Sequence, residues 1–367
     1  MKNTAIIIKD NVSSTFDKGV DTLLNALFLG GYTLEELRFL SFNQPQKWVD
    51  GIKSLKDCDN VFIVAEKRYL AGVKQVLLTA FSGGQTYSEF GGAMIYGVDM
   101  LCLHLLSSDT TETGTGYIQN ASVPFMQKKF NLRFDKIVLR AIGTNVALTE
   151  KILAEARQMA GDKIVCNHTR KFDEDIIEII YDNNTPKMLA DDVLRLLAEG
   201  FGDTMYALND VTLENQLVSL LRVRDKKLSV AESFTGGGIA KRIVSVSGAS
   251  EVYFEGLNTY DEVSKVKRLG VSSYTLNTMG AVSERTAYEM ALGLLSTGDC
   301  DLAIATTGLA GPKTDRSELP VGLCCIAIGT KEKICVYQYK FDGTREEIME
   351  KAINYALFLA YKRLKDI

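Results

Sequence analysis

Histidine is almost missing from this chain: two occur in 367 residues, His104 and His168, both in the first half. Histidine is the usual general base near neutral pH and a frequent metal ligand. None follows His168, so the later residues cannot build a Ser-His-Asp triad or a His-ligated metal site of their own. A cationic excess is missing too. Forty-two basic against 46 acidic side chains leave a net charge of -4, whereas binders of a phosphate backbone usually carry a positive surplus. No C-x-x-C pair or Cys/His cluster with zinc spacing occurs among Cys58, Cys102, Cys166, Cys300, Cys324, Cys325 and Cys335. An odd, scattered set of this kind reads as reduced thiols in a cytoplasmic protein. No apolar run reaches the length of a membrane span, and Ala5 to Ile8 is too short for a signal peptide. Neither export nor a membrane is expected.

What is present is the composition of a globular chain, 46% hydrophobic and 24% charged, long enough for two or three domains. The first 135 residues alternate strand and helix. Ala5 to Ile8 and Asn60 to Ala65 are apolar runs of strand length, with a helical period over Val20 to Leu27 between them. That rhythm predicts an α/β layer with a parallel sheet. Glycines 83, 84, 91, 92 and 97 match no phosphate-loop template and read as a looped excursion with turns. A second module spans 136–207: strand Phe134 to Leu139, a helix from about Leu148 through Ala160, strands at Lys163 to Cys166 and Ile176 to Ile180, and a helix from Lys187 ended by Gly200. The third, 208–367, opens with a helix striped by Leu213, Leu217, Leu220 and Leu221. Strand Leu228 to Ala231 then runs into Glu232-Ser233-Phe234-Thr235-Gly236-Gly237-Gly238 and a helix from about Ile239. A strand, glycine loop and helix in that order aim backbone N–H groups at one point. Val321 to Ile328 and Lys333 to Tyr339 read as a hairpin before a terminal helix.

Ser233 occupies a turn where a nucleophile is easily exposed, although position alone favours a helix cap. Lys265, by composition, is a solvated helix lysine. Five motifs change these readings when taken in order: Ala231-Glu232-Ser233-x-Thr235-Gly236-Gly237, Tyr260-x4-Lys265-x3-Leu269-Gly270-Val271, Gly280-Ala281-Val282-Ser283-Glu284, Thr307-Gly308-Leu309-Ala310-Gly311-Pro312 and Pro320-Val321-Gly322. Together they resemble the C-terminal domain of the CinA family over residues 208–367.

The resemblance implies a nicotinamide-nucleotide amidohydrolase of serine/lysine type, which converts nicotinamide mononucleotide to nicotinic acid mononucleotide and ammonia in pyridine-nucleotide recycling, without metal or cofactor. Carried over by motif position, Ser233 is the nucleophile, Lys265 its base, and Tyr260 lies nearby. Thr235, Gly236, Gly237, Thr307 and Gly308 are expected around the substrate, with loop amides in 233–238 or at Thr307-Gly308 as the oxyanion hole. Arg345, where the family commonly has G-x-R, is expected to meet the phosphate, unless it is only a surface arginine at a helix start. A base lysine must be neutral; lowering its pKa from about 10.4 to about 7 takes roughly 4 to 5 kcal/mol of desolvation or like-charge repulsion. Lys265 is therefore expected to be partly buried.

The order of parts is similar to full-length CinA: a molybdopterin-binding-like α/β domain (1–135), a small KH-like α+β linker (136–207) and the α/β amidohydrolase domain (208–367). The linker has no G-x-x-G loop with which to clamp a nucleic acid, and none is expected as a partner. In the first domain Ala65-Glu66-Lys67-Arg68-Tyr69-Leu70 stands where the family has G-G-x-G-P-T-x-D-D. The glycines for a phosphate and the paired carboxylates for Mg²⁺ are gone, so the pyrophosphatase activity of some relatives is expected to be absent and the domain to serve structure, with a homo-oligomer as the assembly. Lys313-Thr314-Asp315-Arg316-Ser317-Glu318-Leu319 also replaces the usual glycines after Pro312, which leaves open a non-catalytic nucleotide-binding or assembly protein.

Overall fold

The computed structural model describes residues 2–10, 18–55, 57–108, 116–312 and 319–366. Contacts gather the chain into two compact units, Met1–Lys136 with Ile180–Pro186, and Ile137–Ile179 with Lys187–Ile367.

The first unit holds β1 (Asn3–Lys9), α1 (Lys18–Leu29), β2 (Glu36–Ser41), α2 (Pro45–Lys53), β3 (Asn60–Ala65), α3 (Lys67–Ala80), β4 (Gln85–Phe90), β5 (Ala93–Val98), β6 (Leu101–Ser107) and α4 (Val123–Phe130). Its sheet runs β2-β1-β3-β6-β5-β4. β1, β2, β3 and β6 are mutually parallel, and β5 and β4 turn antiparallel. The parallel strands are apolar at consecutive positions because both faces are covered. Ile6, Ile63 and Leu105 pack with Trp48 and Leu77 on one side, and Ile7, Phe62 and Leu106 with Leu27 and Met126 on the other. The glycine-rich stretch is built of turns and close packing, without a looped excursion: a Cβ on Gly97 would lie 2.4 Å from Tyr87 Cε2. Gly91 and Gly92, at φ 59° and 89°, form the two-residue turn between β4 and β5, where a tight hairpin needs positive φ.

Within this unit His104 is fully buried. It is stacked on Phe62, and its Nε2 donates to Asn60 Oδ1 at 3.0 Å. Asn60 Nδ2 in turn donates to Asn3 Oδ1. Burial pushes the His104 pKa down to about 3, with Lys129 adding to the effect. The unfolded chain takes up this proton near pH 6.5 and the folded one only near 3, so stability is complete above 6.5 and lost as pH falls toward 3. The slope is about 1.4 kcal/mol per pH unit. In urea melts, the stability gap between wild type and His104→Leu should therefore narrow from pH 7 to pH 4.5; parallel curves would contradict this.

The second unit takes the chain up within β7 (Phe134–Ile142) and continues through α5 (Val146–Ala160), β8 (Ile164–Lys171), most of β9 (Glu174–Asp182), α6 (Lys187–Phe201) and β10 (Met205–Ala207); the sheet runs β10-β7-β9-β8. Gly200 does not end α6. It lies inside the helix because the Cβ it lacks would sit 2.9 Å from Ile152 of α5, and a glycine lets the two helices close. Chain reversal falls instead on Gly202, at φ 46°.

The remaining elements are α7 (Leu213–Val223), β11 (Leu228–Glu232), α8 (Gly238–Val244), β12 (Tyr253–Asn258), α9 (Glu262–Leu269), α10 (Ser273–Met279), α11 (Glu284–Ser296), β13 (Leu302–Gly308), β14 (Leu323–Thr330), β15 (Ile334–Lys340) and α12 (Arg345–Lys365). Their sheet runs β12-β11-β13-β14-β15, parallel through the first three strands and antiparallel through the last two. One face is aliphatic: Val230, Ile304, Ile326 and Ile328 meet Leu217, Leu221 and Leu357. The other is lined by small residues, Ala231, Ala303, Ala305, Cys325 and Ala327, against Met290 and Leu294 of α11. There α9 and α11 touch so closely that a Cβ on Gly293 would lie 2.1 Å from the Leu269 carbonyl oxygen. The seven cysteines form no disulfide. No described helix is long and apolar enough to cross a membrane.

Candidate active site

Ligands of open α/β sheets gather at the carboxyl ends of the parallel strands. In the second unit those ends are Glu232, closing β11, with Ser233 after it, Thr259-Tyr260 after β12 and Thr306-Thr307-Gly308 closing β13. Ser233 is 7% exposed, and its backbone N–H donates to the Thr306 carbonyl at 3.0 Å. Lys265 projects from the first turns of α9, a helix capped by the Asp261 side chain. Its amine is buried, the residue being 1% exposed. Nζ lies 3.0 Å from Ser233 Oγ, 2.7 Å from the Thr259 carbonyl oxygen and 3.1 Å from the Tyr260 carbonyl oxygen.

Three acceptors around one nitrogen suit both protonation states. An ammonium donates to all three. A neutral amine keeps its two N–H groups on the carbonyls and turns its lone pair toward the Ser233 hydroxyl, which then donates. Burial pushes the Lys265 pKa below the ordinary lysine value, against the opposing pull of Glu262 and Asp261.

The Ser233 side chain does not cap α8. Glu232 does: its buried carboxylate accepts from the N–H groups of Gly237 and Ile239, each at 3.1 Å, and of Ala240 at 2.9 Å. Gly236 N–H is held by the Ser233 carbonyl and Gly238 N–H by the Thr235 carbonyl. The helix N-terminus is thus already occupied by an anion of the chain itself, and the amides of 236–238 are not available as a phosphate anchor. Within 233–238 this leaves the N–H groups of Phe234 and Thr235, which donate to no partner among the described residues.

The other predicted positions are distributed as follows. Thr235 and Thr306 pair through their hydroxyls at 2.8 Å, locking the nucleophile loop to β13. The Thr307 hydroxyl donates to the Ala281 carbonyl at 2.6 Å and so pins the Gly280 to Ser283 loop beside the site. A Cβ on Gly308 would meet Cys324 Cβ at 2.6 Å and Phe234 Cε1 at 2.9 Å, so only glycine admits Phe234 there. Gly236 and Gly237 have φ 63° and 92°, which favour glycine. Tyr260 meets Lys265 through its backbone; its ring is exposed, and its hydroxyl accepts from Arg345 Nη2 at 3.5 Å. Exposed Arg345 also donates to the Gly311 carbonyl at 2.8 Å. The altered loop at 313–318 lies outside the described residues. Sequence reasoning missed Glu232 as an anchor. The available signal was a carboxylate closing an apolar strand directly before a glycine loop.

The family described as the CinA C-terminal domain matches residues 210–364. A putative competence-damage inducible protein of Caldicellulosiruptor saccharolyticus is 35% identical over 246 residues, 66% of this chain and 59% of its own length. A CinA-like protein of Kosmotoga olearia is 32% identical over 243 residues, 65% of this chain and 58% of its own. The chain therefore spans about three-fifths of the length of these curated relatives. Among solved structures, the competence/damage inducible protein CihA from Agrobacterium tumefaciens is 33% identical, with 44% of this chain and 99% of that chain covered and a TM-score of 0.40.

Proposed function

Residues 210–364 belong to the CinA family through its C-terminal domain, and from that premise we propose that residues 208–367 hydrolyse the carboxamide of nicotinamide mononucleotide to nicotinic acid mononucleotide and ammonia. The observation that carries this is the buried Lys265 amine 3.0 Å from Ser233 Oγ, a nucleophile and base of the kind a histidine-free site needs.

The neutral amine takes the Ser233 proton as Oγ bonds to the carboxamide carbon. The carbonyl oxygen becomes an oxyanion on the free N–H groups of Phe234 and Thr235. Lys265, now an ammonium, gives its proton to the departing nitrogen; the C–N bond breaks, and ammonia leaves behind an acyl-serine. Water, deprotonated by the same amine, attacks the acyl carbon, and Oγ departs with the proton returned. Protons and electrons balance without a cofactor. Because Glu232 fills the helix N-terminus, the substrate phosphate belongs away from Ser233, on the exposed Arg345 beside Tyr260. The first unit, with α3 starting at Lys67 directly after β3 in place of the family's glycine-carboxylate stretch, serves assembly and not pyrophosphate hydrolysis, and the working form is a cytoplasmic homo-oligomer.

The purified 367-residue chain given nicotinamide mononucleotide is expected to release ammonia and nicotinic acid mononucleotide in equal amounts. Binding of the nucleotide without ammonia release would instead identify a non-catalytic binding or assembly protein.

A further inference from the structure

Three consecutive residues of α12 touch three different parts of the second unit. Ile353 lies against the nucleophile loop, where a Cβ on Gly238 would be 2.4 Å from its Cδ1. Asn354 is 4% exposed. Its Nδ2 donates to the Phe172 carbonyl at 2.8 Å, and its Oδ1 accepts from Arg242 Nη1 at 2.5 Å. Tyr355 lies against the module that begins with β7, where a Cβ on Gly143 would be 2.9 Å from its hydroxyl.

Arg242 belongs to α8, the helix that the Ser233 loop feeds, and its Nη2 donates to Glu214 Oε2 of α7 at 2.6 Å. Phe172 belongs to the two-residue turn joining β8 and β9. Phe172 and Asp173 carry φ 52° and 60°, a region that glycine or asparagine normally fills in such hairpins. Side chains held there are strained and persist only where the surroundings over-determine them. Two contacts do so here: the Phe172 carbonyl accepts from Asn354 Nδ2, and the Asp173 carbonyl accepts from Gly143 N–H at 3.0 Å.

We propose that Asn354 is a positioning residue for the nucleophile: it locks the β8–β9 turn onto α8, so that the four-stranded module sets the placement of the Ser233 loop. The adjacent contact of Ile353 with Gly238 means that any shift of α12 at this point is passed to the loop within one residue. The proposal rests on the serine/lysine reading, and its test has an arm that does not need turnover.

Asn354→Ala removes both bonds, while Asn354→Asp keeps an acceptor for Arg242 and removes only the donor to Phe172. Both variants of the full chain are expected to lose about ten- to a hundredfold in kcat with KM within about twofold, the pattern of a misplaced reacting group. Both are also expected to speed amide hydrogen exchange at 233–244 while exchange in β13 and β14 stays at the wild-type rate. Asn354→Asp at wild-type kcat and exchange, or exchange raised evenly across the second unit, overturns the proposal. Were wild type itself inactive, the amidohydrolase reading would fall and the exchange pattern would still decide whether the module holds the loop.

Discussion

Replacing Ser233 by alanine, or Lys265 by arginine, is expected to reduce kcat for nicotinamide mononucleotide by at least about a thousandfold with little change in KM, because each removes a group that acts in the transition state. Arginine is the sharper probe. It preserves a cation and N–H donors, yet it does not deprotonate near neutral pH and has no lone pair to accept the Ser233 proton. Lys265→Met, which keeps an unbranched stem of similar bulk, guards against the objection that a guanidinium merely crowds the site. Methionine leaves the Thr259 and Tyr260 carbonyls without this donor, so it should cost stability as well as turnover. Ammonia release measured with saturating nucleotide decides the matter: arginine at position 265 retaining activity within tenfold of wild type would remove lysine from the base role. The sign of the pH dependence follows. The base works when neutral, so the rate rises with pH through the Lys265 pKa, which burial places below its ordinary value, and the acid limb should fall about tenfold per pH unit.

Glu232→Leu is expected to be the most destabilising single change in the second unit. Its carboxylate satisfies three backbone N–H groups, and each buried donor left without a partner costs about 1–3 kcal/mol. A loss of at least about 3 kcal/mol corresponds to a fall of roughly 6–12 °C in melting temperature for a body of this size. Glu232→Gln, which keeps one acceptor oxygen, should recover part of that loss. Calorimetry on the two variants tests the assignment; a leucine variant melting within 2 °C of wild type, roughly the shift of 0.5–1 kcal/mol, would show that those amides find water or other partners. Turnover should fall in both, since the same carboxylate shapes the loop that carries Ser233.

The legible parts of this chain were those with one dominant physical signal. The runs at Ala5 to Ile8 and Asn60 to Ala65 read as strands because both faces are buried, and nothing competes with that pattern. β4 did not. Its Gln85-Thr86-Tyr87-Ser88-Glu89-Phe90 is mostly exposed, so no alternation marks it, and only the pairing with β5 makes it a strand. Gly200 misled because glycine serves both to end helices and to let them touch. At the site, Ser233 and Lys265 stand 32 residues apart, and spacing alone could not join them; the resemblance of five ordered motifs did. Glu232 lay inside one of those motifs unassigned, since whether a strand-end carboxylate faces solvent or folds back on the next helix depends on glycines at positive φ.

The small-residue face of the five-stranded sheet has a consequence for reach. α9 carries Lys265 and ends at Leu269, whose carbonyl oxygen would be 2.1 Å from a Cβ on Gly293 of α11. A lysine stem has a fixed covalent length, so its nitrogen arrives at Ser233 only if the helix layer rides at the right height above the strands. Alanines 231, 303 and 305 set that height much as shims set the gap of a caliper. Enlarging any of them would act at a distance on the proton transfer, without touching a reacting atom.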